Sequence, residues 1–163
     1  ICNVLNFVAR KEGLQLPQEL ALRIATRAIG NMRRALLSLE TCCVIEYPFK
    51  SDQKVVEPDW EIYLRETATM ILQEQSPKRL LAVRGRIYEL LTHCVPPELI
   101  FKMLVCELID TLDTSLKADV ISLAAEHEHR LQSGSKAIVH IEAFVAKFMA
   151  LYKKFIDETL AAM

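Results

Sequence analysis

Between Pro96 and Thr111 the chain reads PPELIFKMLVCELIDT, and Leu99, Ile100, Phe101, Met103, Leu104, Val105, Cys106, Leu108 and Ile109 leave a helix there with almost no polar side. Such a helix must be enclosed by neighbours, within the chain or in an assembly. The rest of the sequence supplies helices to do it. Only four Gly and six Pro occur, and alternating apolar and polar residues are nearly absent, so the expected fold is all-α. With 52% hydrophobic and 25% charged residues and a mean hydropathy of +0.18, the chain can build a core and has apolar surface to spare, some of it expected against a partner.

Taken in order, Ile1 to Gly13 reads as the end of a helix with Val4, Leu5 and Val8 on its apolar face. It opens without a cap or an initiator Met, so a fragment of a longer protein is expected. Pro17 starts a second helix facing inward through Leu20, Ile24 and Ala28, and Gly30 closes it. A third runs from Met32 to about Glu46, expected to bury Ala35, Leu36, Leu39, Cys43 and Val44, with Pro48 after it. Phe49 to Pro58 lacks helical periodicity and is polar apart from Val55 and Val56, so it reads as a linker or an extended excursion. Helices then begin at Asp59, Pro77, Pro97, about Thr114 and Lys136, and the last is the longest. The expected division is 1–49, a three-helix bundle; 50–58, a linker; and 59–163, a second helical domain. Surplus apolar residues on the sixth and last helices mark Phe101, Val105, Phe144, Phe148 and Tyr152 as candidate interface residues.

The residue types exclude much chemistry. No transmembrane run, G-x-x-x-x-G-K-[ST] phosphate loop or G-x-S-x-G elbow is present, and no internal repeat stands out. Five cysteines in apolar helical patterns, odd in number and without a C-x-x-C pair, read as reduced buried thiols. Glu126-His127-Glu128-His129 resembles a metal ligand set, yet residues two apart on a helix point in different directions; it reads as a solvated face. Arg79, Arg84 and Arg86 have Glu89 nearby and no interleaved aromatic, so they too read as a wet face rather than a nucleic-acid stripe. No catalytic residue and no metal site is expected.

Gly30-Asn31-Met32-Arg33-Arg34-Ala35-Leu36-Leu37 is different. Asn31 is a strong N-cap, so Arg33 and Arg34 fall in a first helical turn, where the macrodipole disfavours cations. Residues 1–50 are also the basic part of the chain, with seven Lys/Arg against four Asp/Glu, whereas the rest is net acidic. Either both arginines are ordinary surface residues, or one meets an anion while the other makes a structural ion pair. The spacing alone leaves both open. A free-standing helical module that binds a peptide in a groove also stays open.

That stretch, followed by Leu39-Glu40, resembles the sensor 2 motif of clamp-loader AAA+ subunits, G-D-x-R-R-A-L, which opens the third helix of the lid. Residues 1–155 are similar to the C-terminal half of the replication factor C small subunits, which comprises a three-helix AAA+ lid and a helical collar that oligomerises. The resemblance implies a nuclear, pentameric, ATP-driven complex that loads the sliding clamp onto primed DNA in replication and repair. Its implied partners are the other replication factor C subunits, the sliding clamp and primer-template DNA, with no membrane. It implies that Arg33 faces nucleotide phosphates, with Arg34 its neighbour, and that ATP or ADP with Mg binds the full-length protein. No cofactor and no ATP turnover are expected of this stretch alone. The family commonly has Asp where this chain has Asn31; both residues cap a helix well.

Overall fold

The computed structural model describes residues 1–161, all of whose regular structure is helical: α1 (Cys2–Lys11), α2 (Gln18–Arg27), α3 (Met32–Ile45), α4 (Asp59–Gln73), α5 (Pro77–Thr92), α6 (Pro97–Asp110), α7 (Thr114–Ser133) and α8 (Ala137–Ala161). The chain divides into two compact units, Ile1–Glu57 and Pro58–Met163. The last two residues of the expected 59–163 domain lie outside the described residues.

In the first unit α1, α2 and α3 pack around Leu5, Leu20, Ile24, Ala28, Ala35, Leu39 and Cys42. Their helical spacings put these side chains on one stripe per helix. The stripe of α3 runs through 35, 39 and 42, one residue short of the expected Cys43 and Val44. Val44 is therefore 81% exposed. Val55, from the polar segment after α3, completes the core.

That segment is a strap fastened to the first unit. Arg23 donates to the Ser51 carbonyl, Arg27 donates to the Val55 carbonyl at 3.1 Å, and Arg27 also pairs with Glu57. Gln53 is buried, and its Nε2 donates to the Cys42 carbonyl at 2.8 Å and to the Glu46 carbonyl at 3.4 Å. The Cys42 carbonyl already accepts the Glu46 N–H at 3.1 Å, so Gln53 is its second donor, while the Glu46 carbonyl, just past the helix end where the helix supplies no donor, takes its hydrogen bond from Gln53. Part of the basic bias of residues 1–50 is thereby structural, since α2 spends two arginines on holding the strap.

In the second unit one side of α6 is enclosed by its own chain, while Leu99 and Cys106 stay exposed. It packs against α4, α5, α7 and α8 and buries Ile100, Phe101, Leu104 and Leu108. The long α8 contributes Ile138, Ile141, Phe144, Val145, Phe148 and Met149 to the same core. α4 and α5 are joined by Arg86. Its Nε donates to Thr67 Oγ1 at 2.7 Å and its Nη2 to the Tyr63 carbonyl at 2.8 Å and to Glu66 at 3.0 Å, while its guanidinium lies 3.5 Å from the Tyr63 ring centroid. Arg86 is a bracket between helices, not part of a wet face. Arg79 pairs with Glu74 and Arg84 with Glu142, both within this unit.

This enclosure corrects the expected interface. Phe101, Phe144 and Phe148 lie inside the unit's own core, at 2%, 0% and 0% exposure, so they have no surface to offer a partner. The Phe101 and Phe144 rings meet edge to face with centroids 5.0 Å apart, and Phe148 stacks on Tyr152 at 5.8 Å. Val105 and Tyr152 are half-buried against that core. The apolar side chains left outside are others, among them Leu81, Tyr88, Ile121 and Val139.

His127 corrects the solvated reading of the Glu126–His129 stretch. It is 1% exposed and packs against Phe144, while Glu126, Glu128 and His129 are exposed. Neither ring nitrogen makes a hydrogen bond of ordinary geometry. Burial, followed by the positive charge of Lys147, pushes its pKa below the usual histidine value of 6.5. Among the described residues no group of three metal-ligating side chains converges. The cysteines also divide: Cys42 is buried and its thiol pushed up by that burial, Cys2 and Cys43 are half-buried, and Cys94 and Cys106 are exposed.

Candidate functional site

The site is built at the corner between α2 and α3. Two successive residues there take left-handed backbone angles, Ile29 with φ +48° and Gly30 with φ +79°. Glycine accepts this region freely, whereas for a β-branched residue it is strained. The Asn31 N–H donates to the Ala28 carbonyl at 2.9 Å, closing the corner. Asn31 then takes an extended conformation, and its side-chain oxygen accepts the Arg34 N–H at 3.2 Å. This is the geometry of an N-cap, with Met32, Arg33 and Arg34 as the first three helical residues.

The two arginines are placed differently. Arg34 is half-buried and its backbone N–H is committed to the cap. Arg33 is exposed, and among the described residues its side chain has no ion pair or hydrogen bond. Arg27, Arg65, Arg79, Arg84, Arg86 and Arg130, by contrast, each have a glutamate within ion-pair distance. No acidic residue sits in the first turn of α3 to offset the cation. Arg33 is thus a guanidinium held on a rigid corner, opposed by its own helix dipole, with all its donors available for an anion.

Leu37, at 55% exposure, and Val44 follow Arg33 along α3 at spacings that repeat about every helical turn. The exposed stripe of this helix therefore begins with a cation and continues as apolar surface. Sequence reasoning missed the apolar part of the stripe by placing Val44 in the core.

Comparisons with known proteins cover both units. Residues 60–156 match the family model described as "Replication factor C subunit 3, C-terminal domain", and residues 3–44 match "RCF1/5-like, AAA+ ATPase lid domain". Replication factor C subunit 3 of Homo sapiens is 59% identical over 163 residues, covering 100% of this chain and 46% of that protein. The Mus musculus protein of the same name is 60% identical with the same coverage, and that of Arabidopsis thaliana is 55% identical over 98% of this chain and 45% of its own length. The chain therefore spans about half the length of these relatives. The second-unit match covers more than half of the chain, and a clamp-loader lid model covers α1 to α3, so this chain belongs to the replication factor C family.

Proposed function

We propose that this chain forms the lid and collar of a clamp-loader subunit. The collar assembles with other replication factor C subunits into a pentameric nuclear complex, and that complex uses ATP to load the sliding clamp onto primed DNA. The observation that carries the reading is Arg33: a guanidinium with no partner among the described residues, on a capped helix start.

Bound nucleotide with its Mg supplies a polyphosphate anion. Arg33 donates planar, charge-assisted hydrogen bonds to the phosphate oxygens, and Asn31 fixes the turn that aims it. Arg34 adds charge beside it. An anion in front of Arg33 offsets the unfavourable place of that cation on the helix dipole, so the lid is stabilised where the nucleotide is bound. The phosphate loop motif is not among these 163 residues, and the chain alone is not expected to turn over ATP. The collar's contacts with neighbouring subunits use apolar side chains left exposed, such as Leu81, Tyr88 and Val139.

The test is Arg33→Ala in the full-length subunit, reassembled with its partners. Losing a charge-assisted hydrogen bond removes about 1.5–3 kcal/mol, roughly a 10- to 100-fold loss of nucleotide affinity at that subunit. ATP-dependent clamp loading should fall with it, and assembly measured by gel filtration should be unchanged. Unaltered nucleotide affinity in the variant complex would overturn the assignment.

A further inference from the structure

The second unit holds a pocket of about 540 Å³ that neither the core nor the site above uses. It forms where the start of α4 lies beside the end of α5. Trp60 and Tyr63 of α4 supply aromatic wall, and Leu90 and Val95 supply aliphatic wall.

The α5 end is shaped for this. Cys94 takes a left-handed φ of +59°, its N–H donates to the Leu91 carbonyl at 3.0 Å, and the Val95 N–H donates to the Leu90 carbonyl at 3.2 Å. This paired arrangement closes a helix C-terminus and brings the residue after the turn back onto the last helical turn, here Val95 beside Leu90.

Two carboxylates, Asp59 and Glu89, stand among these apolar walls, and both residues are exposed. Glu89 accepts a hydrogen bond from the Tyr63 phenol. Among the described residues neither carboxylate has a basic side chain within ion-pair distance. Arg86, the cation at the Tyr63 ring, is spent on Thr67, the Tyr63 carbonyl and Glu66. The His93 imidazole completes the lining, so the pocket combines an indole, an imidazole, apolar walls and two carboxylates that have no ion-pair partner among the described residues. A flat cation with an aliphatic stem matches all of these, since a guanidinium stacks on aromatic faces and its fork fits carboxylate oxygens.

The geometry points to this pocket as the receptor for an arginine side chain presented by a partner protein. It stands on the second unit alone and is independent of Arg33.

The chain carries its own probe, because Trp60 is its single tryptophan. A capped glycine–arginine–glycine peptide is titrated against the 163-residue chain at low ionic strength, and Trp60 fluorescence is followed. The same peptide with citrulline, the neutral isostere of arginine, is the comparison. The arginine peptide should give a saturable change and the citrulline peptide one about tenfold weaker, with the difference shrinking as salt is raised. Asp59→Asn and Glu89→Gln should each weaken the arginine peptide about threefold, as expected for exposed charge pairs. Thermal melting checks that each variant is folded, and the two peptides on the unaltered chain give a readout that depends on neither. Equal response to the two peptides, no saturable response, or folded variants that bind as the parent does would each overturn the proposal.

Discussion

Replacing His127 with leucine should make the second unit less sensitive to acid. The imidazole is 1% exposed, lies against Phe144 and lacks ordinary hydrogen bonds at both nitrogens. An unpaired buried polar group costs about 1–3 kcal/mol. A leucine of similar volume removes that cost and adds about 1 kcal/mol of repacking strain, leaving the variant equal to the parent or slightly more stable at pH 7.5.

The decisive quantity is the change with pH. The folded-state pKa of His127 is lowered, by burial first and by Lys147 next, with Arg130 in the same direction and Glu126 and the His140 backbone opposing. A group held neutral by the fold contributes stability that is complete above its unfolded value of about 6.5. That stability is lost as pH falls from 6.5 toward the lowered folded value, because the unfolded chain then binds the extra proton. The limiting loss is about 1.4 kcal/mol between pH 7.5 and 5.5, and the leucine variant escapes it.

Urea unfolding followed by Trp60 fluorescence reports this unit alone, since no other tryptophan contributes. All other titrating groups are common to both proteins and cancel in the difference. Parent and variant free energies that run parallel from pH 7.5 to 5.5 would refute the argument.

Four further substitutions probe other parts of the molecule. Phe144→Ala should destabilise the second unit by about 3–5 kcal/mol through the cavity it leaves, measurable in the same urea assay. Gln53→Ala removes the side-chain donor from the Glu46 carbonyl and the second of two donors from the Cys42 carbonyl, which keeps the Glu46 N–H. It should cost the first unit about 1–3 kcal/mol, with faster amide exchange in the last turn of α3. Asn31→Ala should cost about 1 kcal/mol by loss of the cap, read from thermal melting of the first unit. Ile29→Gly relieves a left-handed β-branched residue; relief of about 1–2 kcal/mol, less the added unfolded-state entropy of glycine, predicts a small net gain in that same melting experiment.

The all-helical fold and most helix faces were legible because apolar spacing encodes them directly. Leu20 and Ile24 in α2, Ala28 at its end, and Ala35 and Leu39 in α3, were read inward and are buried. The error in α3 was one residue of phase, which exchanges Cys42 for Cys43 and strands Val44 outside. For His127 the signal was present: Leu116, Val120, Ala124 and Leu131 step through it at helical spacing, and the charged residues around it obscured a position on their stripe.

Phe101, Phe144 and Phe148 failed as interface residues for a different reason. Composition shows that a side chain seeks burial but not whether its own chain or another supplies it, and α8 satisfied Phe101 internally. The strap had no period to read, since it is held by side-chain amides and guanidinium groups on backbone carbonyls. At the candidate site the cap and the exposed cation were legible from Asn31 and Arg33.

The binding of the strap has a consequence for where this chain can be cut. A piece ending at residue 49 keeps three complete helices and looks whole by secondary structure. It would nonetheless lose Val55 from beneath Leu39 and Cys42, leave the end of α3 open to water, and release Arg23 and Arg27 as loose cations on α2. A piece carrying Arg33 that keeps all these contacts runs instead to Glu57, which pairs with Arg27 at the end of the first compact unit. Eight residues with no helix in them thus decide whether the three helices before them keep a sealed interior.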